Sequence, residues 1–135
     1  MSGVRRAVRN RAIVLGFCLA AVVIVGAHWS HETQARIGLA LFLALTACIY
    51  LGALLAQSTS TLTAAAEFAI AGLVFVCAWL GLAFGAIWLA VGYALHGAWD
   101  WLHHSGKITT RVAPWFPPAC AAFDFVVAAC ALFVA

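Results

Sequence analysis

The chain has 135 residues, of which 67% are hydrophobic and only 8% charged, with a formal net charge of +3. Globular chains run near ~45–50% apolar and ~25% charged, and a soluble domain this small could not bury so much apolar surface. A soluble globular domain, a disordered chain, a disulfide scaffold and a nucleic-acid-binding domain are excluded together, which leaves lipid as the solvent for most of the chain.

A bilayer core of ~30 Å takes about 20 helical residues to cross. The first apolar run covers residues 12–29. Its basic flank and the small residues Val25-Gly26-Ala27 also suit a signal peptide, but the apolar core is long for one, so an anchor is expected. A polar stretch from His28 to Arg36 precedes the second run, residues 37–56, and Gln57-Ser58-Thr59-Ser60-Thr61 makes a short polar loop. Residues 62–102 are apolar apart from Glu67, His96 and Asp100. As one helix they would measure about 60 Å, twice the hydrocarbon thickness. Two spans are therefore expected, residues 62–80 and 86–102, with the reversal within Leu80-Gly81-Leu82-Ala83-Phe84-Gly85. A segment with Lys107, Arg111 and three prolines leads to the last run, residues 119–135.

The expected fold class is thus an all-α integral membrane protein, a five-span transmembrane helix bundle forming one domain over residues 1–135. The positive-inside rule puts Arg5, Arg6, Arg9 and Arg11 in the cytoplasm, and four further crossings return Lys107 and Arg111 to that side. Tryptophan prefers the interface; five spans place Trp29, Trp79 and Trp88 at outer ends and Trp99, Trp101 and Trp115 at inner ends. The expected location is the plasma (inner) membrane, multi-pass, with a cytoplasmic N-terminus and an outside C-terminus. Five cysteines in apolar runs, without a C-x-x-C pair, are read as packing residues.

Ionisable residues inside a membrane are costly, which makes each a functional candidate. Glu67 falls about 7–8 Å into the third span, His96 about 9 Å from the inner end of the fourth and Asp124 about 9 Å into the fifth. Tyr50 lies at a matching level of the second. Four spans thus each contribute a polar group to one layer of the inner leaflet. On the fourth helix Asp100 sits about 40° from His96 and His103 about 20° to the other side, so the three share a face; His104 lies farther round. Asp100, His103, His104, Asp124 and Glu67 are the candidate catalytic set, with His96 and Tyr50 as candidate cofactor-binding residues.

His96 and His103 are roughly 10 Å apart along the axis, a long reach to one metal ion. A mononuclear site would use Asp100 with neighbouring histidines, and Asp100, His103, His104 and Asp124 are the candidate ligands for a divalent transition metal. Haem is less favoured, because histidine is concentrated on one span. A carboxylate–histidine network that only sets helix register is the structural alternative. His28, His31 and Glu32 form an outer group at a helix end, where solvation suffices to explain them.

The pattern His96-x-x-Trp99-Asp100-x-x-His103-His104, then a proline-bounded turn and Cys120-x-x-x-Asp124, resembles a group of small uncharacterised bacterial integral-membrane proteins. The resemblance covers roughly residues 92–135; Pro117-Pro118-Ala119 departs from the serine and glycine common before the cysteine. It carries no activity, and implies that Asp100, His103, His104 and Asp124 form one site.

The leading expectation is a membrane-embedded enzyme, metal-dependent or acid/base, or a redox protein, acting on a lipid, isoprenoid or quinone. The alternatives are a non-catalytic small subunit or scaffold of a membrane complex and a proton-coupled transporter, which would need a homo-oligomer. The lipid bilayer is the expected partner, with a second copy or a complex partner as candidates and nucleic acid excluded.

Overall fold

The structure is a computed structural model and describes residues 2–134. Among those residues it contains five helices: α1 (Ser2–His28), α2 (Glu32–Leu55), α3 (Thr61–Phe84), α4 (Ala86–His104) and α5 (Phe116–Val134). All five elements are helical, and a helix satisfies its own backbone groups without water.

The helices run past the apolar segments that define them. α1 begins at Ser2, not near residue 12, so Arg5, Arg6, Arg9 and Arg11 stand on its first turns. α2 begins at Glu32 rather than 37, where Glu32 bonds Arg36 one turn on. α3 continues through Gly81 and stops only at Gly85, whose φ of +117° is open to glycine without strain. The reversal into α4 therefore takes one residue. α5 starts at Phe116 and takes Pro117 and Pro118 into its first turn, where the missing N–H groups have no intrahelical acceptor to lose.

α1, α2, α3 and α5 are each long and apolar enough to cross a membrane. α4, at 19 residues, carries His96, Asp100, His103 and His104 in its second half, which lowers its mean hydropathy without shortening it. Its polar residues turn inward: His96, Asp100 and His103 are buried, while Ile87, Trp88, Val91 and Trp101 are exposed.

α5 packs between α1 and α4, and α3 between α2 and α4. The apolar core is built on Leu39 and Leu43 of α2, Val74 of α3, Leu89 and Tyr93 of α4, and Phe123 and Val127 of α5. Large apolar side chains such as Leu41, Leu45, Phe68, Val76 and Phe133 point outward, the arrangement a lipid solvent favours. The α2–α3 and α4–α5 connections meet at one end. There Gln57 Nε2 donates to the Arg111 carbonyl (3.1 Å), and the Arg111 N–H donates to Gln57 Oε1 (2.8 Å).

Candidate functional site

One half of the bundle is polar inside. Tyr50 from α2, Glu67 from α3, His96, Asp100 and His103 from α4 and Asp124 from α5 are all buried there. Leaving any of these groups unpaired in a low-dielectric interior would cost several kcal/mol, so the helices must supply partners to one another.

They form two clusters. In the first, His96 Nδ1 lies 2.7 Å from Asp124 Oδ2, a hydrogen bond between α4 and α5. Asp100 Oδ2 stands 3.2 Å from the same nitrogen without sharing its hydrogen bond. Tyr50 donates to the other Asp100 oxygen, Oδ1, at 2.5 Å. α4 and α5 can approach this closely because residue 97 is glycine; a Cβ there would stand 3.0 Å from Asp124 Cβ. His96 Nε2, Asp100 Oδ2 and Asp124 Oδ1 remain without hydrogen-bond partners among the described residues.

Glu67 is the centre of the second cluster. Its Oε1 lies 2.9 Å from His103 Nε2 and accepts from Thr110 Oγ1 at 2.5 Å, while Oε2 accepts from the Trp99 indole N–H at 2.8 Å. His103 Nδ1 faces the Trp99 carbonyl at 3.0 Å and must donate to it, because a carbonyl only accepts. The tautomer is thereby set, and the proton between His103 Nε2 and Glu67 is the one that can move. Tyr50 joins the clusters: its hydroxyl bonds Asp100 and its ring stacks on His103, with centroids 3.9 Å apart. A water-sized cavity of about 10 Å³, bordered by Tyr50, Glu67, His96 and Trp99, lies between them.

A much larger open cavity, about 1320 Å³, lies at the end where the two connections meet. Arg5, Arg6 and Arg9 of α1 line it together with Thr110, Arg111, His103 and His104. His103 and Thr110 therefore touch both this cavity and the buried Glu67.

The sequence-predicted residues divide accordingly. Asp100 and Asp124 meet at His96, which takes the place expected for His103 and His104. His103 turns to Glu67 instead, and the half-buried His104 lies beside Trp101 at the cavity wall. Tyr50 bonds Asp100 directly. One donor atom each from His96, Asp100 and Asp124 come within 4.8 Å of one another, the spacing of a cation site. The region also contains Thr110 and the α1 arginines, which the sequence does not assign to it. Nothing in the order of residues along the chain marks Thr110, though the arginines were visible as a charge run.

No curated protein and no solved structure matches the chain. Residues 11–135 match the family of unknown function DUF6010, and with nearly the whole chain covered, the protein belongs to that family.

Proposed function

We propose that this chain is a five-span protein of the plasma membrane, with a cytoplasmic N-terminus and an outside C-terminus. It carries an inner-leaflet acid–base site acting on a lipid, isoprenoid or quinone. The apolar outward face of α4 supports the fifth crossing, and the arginines at the start of α1 support the orientation. His103 is the general acid or base, Glu67 is its proton partner, and Asp100 and Asp124 with His96 form the buried reserve behind it.

The observation that carries this reading is the position of His103, which lines the large cavity while its Nε2 is paired with the buried Glu67. With Nδ1 donating to the Trp99 carbonyl, proton exchange with a bound substrate runs through Nε2, which exchanges Glu67 for the substrate as its partner. The test is mass-spectrometric comparison of lipid and quinone extracts from membranes containing wild type, His103→Gln or Glu67→Gln. A species that changes only with wild type supports the enzyme. Identical profiles, together with a stoichiometric protein partner in native mass spectrometry, would replace it with the non-catalytic subunit.

A second reading follows from His96, Asp100 and Asp124. Two carboxylates and one neutral imidazole carry a charge of −2, and such a charge inside the bundle needs either two protons or one divalent cation. Zinc, iron or manganese suits this donor set. Metal analysis of gently extracted protein should then find near-stoichiometric metal that disappears in Asp124→Asn. Metal-free protein after reconstitution leaves the proton-filled form.

A further inference from the structure

The charges at the cavity end do not balance. The chain has four acids. Glu32 pairs with Arg36 at the α1–α2 turn, and Glu67, Asp100 and Asp124 are buried in the polar clusters. No carboxylate remains for the exposed cations at this end, and four of them, Arg5, Arg6, Arg9 and Arg111, surround one cavity. Arg5 and Arg9 are one helical turn apart on α1. Arg111 comes from the α4–α5 connection, where two hydrogen bonds with the Gln57 side chain, one in each direction, hold its backbone. Gathering four guanidinium groups around one space is repulsive unless an anion joins them. Their planar forks suit phosphoryl oxygens.

His103, His104 and Thr110 add polar groups to the wall, and Val4, Val8, Trp115 and Pro117 give it an apolar part. At about 1320 Å³ the cavity greatly exceeds a bare phosphate and has room for a headgroup and the start of a chain. We infer that the cavity binds an amphiphile with a terminal phosphoryl group, the phosphate held by Arg5, Arg6, Arg9 and Arg111 and the chain lying toward Val4, Val8 and Trp115. That this amphiphile is the substrate of His103 rests on the acid–base reading above; its binding does not.

The test is equilibrium binding of radiolabelled dodecyl phosphate to full-length protein in a neutral detergent. Salt of about 0.5 M screens diffuse surface attraction. One saturable site is expected. Loss of about tenfold in affinity is expected for Arg5→Gln, Arg9→Gln or Arg111→Gln, each of which removes charge-assisted hydrogen bonds. Arg11→Gln and Lys107→Gln, outside the cavity lining, should bind as wild type. If they weaken binding as much as the cavity variants, the effect is bulk charge and the site is overturned. Cavity variants that bind like wild type overturn it as well. Inorganic phosphate competing on equal terms would show that the ligand is a soluble phosphate and not an amphiphile. Unchanged thermal melting of the exposed-arginine variants separates lost binding from lost folding. Binding is read without turnover, so a failure of the acid–base reading leaves this result standing.

Discussion

The α1–α2 turn and the polar half of the bundle use the same residue types. At the turn, His28, His31 and Glu32 are exposed, and the ion pair of the region joins Glu32 to Arg36 one helical turn away. In the bundle, Glu67 meets His103 across 36 positions of sequence and His96 meets Asp124 across 28, with every carboxylate buried. A solvated pair separates with little loss, because water replaces each partner. A buried pair has no such substitute, so its geometry has to be built by helix packing. Similar side chains thus serve as solvated surface in one place and as a candidate site in the other.

Substitutions that remove a buried partner test this contrast most severely. Asp124→Ala takes away the hydrogen-bond partner of His96 and should cost about 3–5 kcal/mol, visible as a large fall in melting temperature in detergent. Asp124→Asn should fold and isolate the chemical role. Near-wild-type melting of Asp124→Ala would mean that the cluster contributes little to the fold. Gly97→Ala comes next, since the added Cβ would press on Asp124 at 3.0 Å. Overpacking of this kind costs about 1–3 kcal/mol, and the loss should couple with Asp124→Asn in a double-mutant cycle.

Tyr50→Phe keeps the ring on His103 and deletes only the hydroxyl that bonds Asp100. A loss of about 1–2 kcal/mol is expected, above the ~0.6 kcal/mol average of interhelical polar contacts in membranes. A loss at or below that average would reduce Tyr50 to packing. The smallest effect belongs to the turn: Glu32→Ala and Arg36→Ala should each change stability by no more than about 0.5 kcal/mol. A larger change there would erase the distinction between the two regions.

Composition and run lengths alone determined that the chain divides into five helical segments, four of them long and apolar enough to cross a membrane, because crossing length and apolar count depend on each segment separately. Helical spacing likewise put His96, Asp100 and His103 on one face of α4, and the distances of Tyr50, Glu67 and Asp124 from their segment ends put them at the level of that face, where they meet it. The helix limits were less so: α1 and α5 extend into charged and proline-containing flanks because helical hydrogen bonding does not stop where hydrophobicity does.

Tertiary structure alone decided the pairings. That Asp124 joins His96 follows from the close α4–α5 approach at Gly97, and that His103 turns to Glu67 follows from α3 packing beside α4. His104, one residue on, is rotated off that face toward Trp101 and the cavity. Thr110 reaches Glu67, and Arg111 joins arginines about a hundred positions earlier, only because the connections at that end fold together. A helix's sequence specifies the face on which a side chain stands; the neighbour that face meets depends on how the helices pack and rotate against one another.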